Sequence, residues 1–388
     1  VQGLYPLLLV IGFSSSLTVR SLDPLTVAVA GDLTVAPETA ALLGTALAIP
    51  YAMSQPILGP AGDHFGKGRL ITIALGLITV SVFASALAPS FLALVLARAL
   101  TGIAAGGIVP IGQAMIGDMY RGQERQIAIA RSTMVVFLGQ LTGASLAGVA
   151  ESWIGWRGVM VACGCIAGLA TLAAIWKMPK ARPLNQRRFS LRTVAANYMI
   201  IFRKPRAWAC YGNVSIQTGI MFGLLPFIAL ILERQGLGGA SEAGLIIAGF
   251  CAGSLILTLT IPFTLRLMSR PALLIVGAVC AFAGLLAISL GLAWYWQMAI
   301  FAGTGFGYFL QHNAIQGEVA DLTEDLRASA YAMHAFSFFL GSAIAPIIYS
   351  IAFARYGVAP TLTGAALTFL SVGIVSSLLF SWFHRRGL

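Results

Sequence analysis

The chain has 388 residues, 58% of them hydrophobic and only 10% charged. A soluble domain carries about a quarter charged residues, so a soluble fold is excluded and an integral membrane protein is implied. The net charge of +11 raises nucleic acid as a partner, a reading that the placement of the charges removes.

A membrane helix takes about 20 residues. Windows of that length find twelve apolar stretches: 4–31, 40–60, 70–89, 91–116, 127–149, 158–176, 207–232, 243–265, 272–293, 296–317, 328–352 and 361–383. The prediction is an all-α integral membrane protein with twelve transmembrane helices in two pseudo-symmetric six-helix bundles. The bundles are expected over 1–176 and 207–388, joined by a cytoplasmic linker over 177–206. That linker holds nine Lys or Arg and no acid. The chain starts at Val1 rather than Met, and a native N-terminus is expected to precede it. The five cysteines lie in apolar stretches without the spacing of a zinc site or disulfide framework. They read as helix packing, and no metal or cofactor is expected.

Nineteen of the 24 Lys and Arg fall in the connections after even-numbered spans and in the C-terminal tail. The positive-inside rule then puts both termini in the cytoplasm. The basic balance is a topology signal, with lipid contact by the linker, and no nucleic acid is needed to explain it. The halves also match at a nearly constant offset. Adding 203 takes Thr101-Gly102 to Thr304-Gly305, Asp118 to Asp321 and Gly66-Lys67 to Ser269-Arg270. Adding 202 takes Arg125 to Arg327, Gly139 to Gly341 and Gly155 to Gly357. Two homologous halves joined by a basic loop are a transporter architecture, with substrate expected near mid-membrane between them.

Span 1 carries Arg20 and Asp23, and span 4 carries Arg98. A charge inside a span is a functional hypothesis by default. Counted at about 1.5 Å per residue, Asp23 and Arg98 sit at similar depth, which allows an Asp23–Arg98 pair. A static buried pair, with Arg20 reaching for the interface, is the alternative. Asp23 is the only carboxylate read as lying well inside a span, and so the leading proton carrier. Between spans 2 and 3 stands Gly59-Pro-Ala-Gly-Asp63-His-Phe-Gly66-Lys67-Gly-Arg69. Asn213 and Gln217 share a face of span 7, as do Tyr308, His312 and Gln316 of span 10, with Asn313 beside them. His312 and His334 are the mid-span histidines. His312 rivals Asp23 as proton carrier because imidazole titrates near neutrality.

The 59–69 loop resembles the signature of the major facilitator superfamily, with His64 at a usually basic position and the last basic residue displaced to Arg69. The resemblance implies that Asp63 pairs with Arg125, in a gating latch of Gly59, Asp63, Gly66, Lys67, Arg69 and Arg125. Arg98-Ala-Leu-Thr101-Gly102 resembles the second motif of that family. Gly139 to Gly148 resembles its antiporter motif with Ala144 in place of proline. The twelve-span drug–proton antiporters are the nearest group. It also implies a cavity lined by spans 1, 4, 7 and 10. The substrate ligands are then Arg20, Arg98, Asn213, Gln217, Tyr308, His312, Asn313 and Gln316. Asp23, Arg98 and His312 are the expected proton-coupling residues. The expected function is proton-coupled export of a small organic molecule by a monomeric secondary transporter, with no enzymatic activity, in a bacterial inner membrane. A carrier of a small organic anion or metabolite held by Arg20 and Arg98 is the second reading. A membrane enzyme or sensor is the remote third, for want of nucleotide-loop motifs or a catalytic constellation.

Overall fold

A computed structural model describes residues 3–178, 191–323 and 326–386. The side chains at 59–64, 122, 123, 126, 130, 191–194, 261, 262, 265, 266, 327 and 328 lie outside that description. The chain divides into two compact units, Val1–Leu191 and Arg192–Leu388, and the described residues contain helices and no strand.

In the first unit the helices are α1 Leu4–Arg20, α2 Thr26–Asp32, α3 Pro37–Ala41, α4 Leu43–Phe65, α5 Lys67–Ala86, α6 Phe91–Met119 and α7 Gly122–Lys177. The second has α8 Leu191–Phe202, α9 Pro205–Leu224, α10 Ile228–Gln235, α11 Ala240–Leu267, α12 Arg270–Ser289, α13 Trp294–Ala320, α14 Arg327–Tyr356 and α15 Val358–Arg386. Ten stretches are long and apolar enough to cross a membrane. One of them, 51 residues long, is broken at Gly155, where φ of 65° takes α7 out of helical geometry and makes it two spans. The 27-residue α13 supplies the twelfth; its Gln311, His312, Asn313, Gln316 and Glu318 dilute its apolar character. Of the predicted linker, 179–190 lies outside the described residues and 191–202 is helical.

The internal repeat survives at three levels. In helix pairing, α1 packs on α7, α4 on α6, and α5 on α6 and α7; in the second unit α9 packs on α14, α11 on α13, and α12 on α13 and α15. In backbone, Gly155 (φ 65°, ψ 168°) and its partner Gly357 (φ 78°, ψ −178°) make the same turn, in a region that favours glycine. In close packing, a Cβ on Gly102 would overlap the Leu47 carbonyl, and one on Gly305 the Phe250 carbonyl. Leu47 and Phe250 are themselves one offset apart. Without water between them, membrane helices associate through such small-residue contacts.

The glycine contacts generate a test. Gly102→Val and Gly305→Val each push a side chain into a facing carbonyl, and overpacking of that kind costs about 1–3 kcal/mol or more. Both variants are expected to unfold at clearly lower temperature in detergent. Gly303→Val, at a position with open space around the Cβ, is expected to match the wild type.

Candidate functional site

Two buried polar clusters form, one in each unit. In the first, span 1 is interrupted. Pro24 has no N–H to give, and its ring collides with the carbonyl four residues earlier, so α1 stops at Arg20. A short 3-10 turn, Asp23–Leu25, intervenes before α2. The interruption exposes carbonyls at the end of α1, and Arg98 of α6 meets them. Its Nη1 donates to the Thr18 oxygen at 3.1 Å and its Nη2 to the Val19 oxygen at 2.7 Å. The Ser21 hydroxyl also donates to Thr18 O, at 3.1 Å. A helix C-terminus carries partial negative charge, which suits a guanidinium buried to 1% exposure.

Asp23 finds a different partner from the one its depth suggested. Its Oδ2 lies 3.4 Å from Arg20 Nη1, with both side chains nearly fully buried. Among the described residues no ion pair joins Asp23 to Arg98; Arg98 is held instead by the helix end. The cluster thus holds two guanidiniums and one carboxyl group.

The second cluster joins α9, α13 and α14. Gln217 Nε2 lies 3.4 Å from His312 Nδ1, and His312 Nε2 lies 3.4 Å from His334 Nε2. With the Gln217 amide donating, His312 carries its proton on Nε2 and presents it to His334. Tyr308 stacks on His312 with ring centroids 5.6 Å apart, and its hydroxyl lies 3.1 Å from that of Thr218. Gln217, Tyr308 and His312 therefore come together as the sequence suggests. Asn213 does not join them: its Nδ2 donates to Ser376 Oγ of α15 at 2.5 Å. Asn313 and Gln316 are half-buried. The pairing of His334 with His312 and the part of Thr218 escaped the sequence reading; Thr218 follows Gln217 directly, and both it and His334 carry polar groups inside spans.

Of the residues expected to form the latch, the side chains of Gly59 and Asp63 lie outside the described residues. Gly66 takes φ of 93° before α5, Arg69 and Arg125 are exposed, and Arg125 lies against Gly117 at the end of α6. Lys67 pairs with Asp118 at 2.6 Å, and their repeat partners Arg270 and Asp321 pair at 2.7 Å. The second unit adds Glu318, 1% exposed, which accepts from Arg206 Nε at 3.0 Å and from Arg270 Nη1 at 3.1 Å. Asp23 is therefore not the only buried acid. The signal for Glu318 was an acid where the repeat partner is Met115.

A family model described as Major Facilitator Superfamily matches residues 8–346. The chain is 26% identical over 219 residues to Vacuolar basic amino acid transporter 2 of Saccharomyces cerevisiae, a match covering 55% of this chain and 43% of that one. It is 28% identical over 188 residues to Multidrug export protein EmrB of Haemophilus influenzae, covering 47% and 36% respectively. These matches span less than half the length of either relative. Inner membrane transport protein YnfM of Escherichia coli is 21% identical over 336 residues, covering 84% of this chain and 78% of that one. The fold is similar to that of a bacterial homolog of the human lysosomal transporter Spinster, solved inward-facing and occupied. There the TM-score is 0.72 at 17% identity, covering 98% of this chain and 96% of the other.

Arg98 supplies the test of this geometry. Arg98→Met leaves two buried carbonyls short of a donor, at a cost of about 1–3 kcal/mol each. It is expected to lower the detergent unfolding temperature well beyond any effect of Asp118→Asn, whose exposed pair contributes about 1 kcal/mol at most. Arg98→Lys is expected to restore little, because an ammonium cannot reach two carbonyls with the fixed fork of a guanidinium.

Proposed function

Because the chain belongs to the Major Facilitator Superfamily, we propose that it exports a small organic molecule by alternating access, driven by a proton that Asp23 carries. The observation supporting this reading is the Arg20–Asp23 pair at 3.4 Å beside Arg98, buried at the interruption of span 1. A carrier must change charge inside the membrane, and such intramembrane carboxylates mark proton relays. When Asp23 is ionised the three residues sum to one positive charge; when it is protonated, two guanidiniums face each other without a counter-ion. Loss of that attraction biases the interrupted helix toward a second arrangement, and a ligand shifts a conformational equilibrium only by such differential interaction. Within the second unit the substrate is handled by Gln217, Tyr308 and His312. Asn213, Asn313 and Gln316 are secondary contacts.

The charge pattern supports the topology in this reading, and the family resemblance supports the rest. Both termini face the cytoplasm, the protein lies in a bacterial inner membrane as a monomer, and residues 177–206 connect bundles 1–176 and 207–388. The Lys67–Asp118 pair supports a gate at the 59–69 loop, to which Asp63 and Arg125 contribute. The relatives lean the same way: one is a multidrug export protein, another an inner membrane transport protein. A second reading, carriage of a small organic anion, is favoured by one observation. Arg98 Nε is buried with no partner among the described residues, which leaves a donor for a carboxylate beside Arg20.

The deciding measurement is uptake into proteoliposomes under an imposed pH gradient, screened with cationic drugs and organic anions. Asp23→Asn is expected to abolish gradient-driven accumulation while keeping passive exchange. His312→Gln is expected to weaken substrate affinity yet leave the response to the gradient in place. If Asp23→Asn responds to the gradient as wild type does, proton carriage by Asp23 is wrong. Saturable exchange of an anion, lost in Arg20→Gln, would then put the second reading first.

A further inference from the structure

A cavity of about 400 Å³ lies in the second unit, where α12 begins and α13 and α15 end. That volume is within the roughly 300–1,000 Å³ of small-molecule sites. Its walls are of two kinds. Pro271, Leu274, Ala314 and Phe380 are apolar, whereas Arg270, Glu318 and His384, each one helical turn from one of them, and Arg385 bring charge and hydrogen-bonding groups.

The charges do not cancel. Glu318 has Arg206 on one carboxylate oxygen and Arg270 on the other, and Arg270 also holds Asp321. Those two cations and two anions satisfy one another. His384 uses Nδ1 on the Phe380 carbonyl at 2.7 Å and turns Nε2 toward Arg206 at 3.3 Å. Arg385 is left over: it lines the cavity, and among the described residues no carboxylate holds it. Its neighbour Arg386 lies over the Trp382 ring, 4.4 Å from the centroid. Trp382 is 42% exposed, as suits an aromatic anchor at the membrane–water boundary.

We propose that this cavity binds the phosphate head of an anionic phospholipid, with Arg385 on the phosphate. The glycerol and the first acyl carbons lie along Leu274, Ala314 and Phe380. A guanidinium that no carboxylate holds matches the geometry of a phosphate group, and at a membrane boundary the lipid heads present phosphate. The apolar wall favours an amphiphile over a free ion, which would leave that wall bare. Basic pockets between membrane helices on the cytoplasmic side take anionic lipid heads on this physical ground.

The test counts lipids kept by the purified protein in native mass spectrometry, after titration with phosphatidylglycerol or phosphatidylcholine of matched acyl chains. Wild type is expected to retain phosphatidylglycerol several-fold better than phosphatidylcholine. Arg385→Gln, at an exposed position that should not disturb folding, is expected to lose most of that preference, and Arg385→Lys to keep it. Leu274→Trp, which fills the apolar side, is expected to lose it with all charges intact; gel filtration checks its fold. Equal retention of the two lipids by wild type, or undiminished phosphatidylglycerol on Arg385→Gln, overturns the proposal. Displacement of phosphatidylglycerol by inorganic phosphate alone also overturns it, since the site then serves a soluble anion.

Discussion

Inside a bilayer a backbone carbonyl that loses its helical partner has no water to turn to. The first unit is organised around one such place. Pro24 stops α1, and the carbonyls of Thr18 and Val19 receive the guanidinium of Arg98 from α6. One side chain thereby ties span 1 to span 4 and fixes the end of α1, from which Arg20 projects. Asp23 in the following turn comes within reach of Arg20. The charged cluster is thus a consequence of the helix break. Without the break there would be no free carbonyls, and a buried arginine would have nothing to donate to.

The second unit has the same break and a different answer to it. Pro226 stands one offset of 202 from Pro24, and a 3-10 turn, Leu225–Phe227, separates α9 from α10. The positions matching Arg20, Asp23 and Arg98 are Phe222, Leu225 and Phe301, all buried. Conversely, His312 and His334 match Val109 and Ser132. The features that hold helices together repeat: glycine against carbonyl, the Gly155 and Gly357 turns, and the Lys67–Asp118 and Arg270–Asp321 pairs. The chemistry does not. The Arg20–Asp23–Arg98 cluster at the helix break belongs to one unit, the His312–His334 pair to the other.

That division explains what could be read from the sequence. Span number, the repeat and the glycine faces are local or periodic properties, so counting finds them. Partners inside a span depend on rotamers and on where the helix stops. Depth counting brought Asp23 and Arg98 level, as the span boundaries dictate. It could not see that Pro24 would release carbonyls to claim Arg98, or that the turn after α1 would bring Arg20 to Asp23 three residues along. Glu318 was hidden because it stands near a span end, where acids are ordinarily solvated. Only the convergence of Arg206 and Arg270 from two other helices makes it a buried charge. His334 sits 22 residues from His312 on a separate helix, and no periodicity connects them.

The bond from Arg98 to span 1 has an evolutionary side. Its acceptors are main-chain oxygens, present whatever side chains stand at positions 18 and 19. A side-chain acceptor would freeze two sites at once, since each could change only with the other. Here the tie is indifferent to the identity of its acceptors, and the side chains beside it are free to drift. A scaffold fastened in this way can be re-lined for a new cargo one substitution at a time, with its fastening left in place.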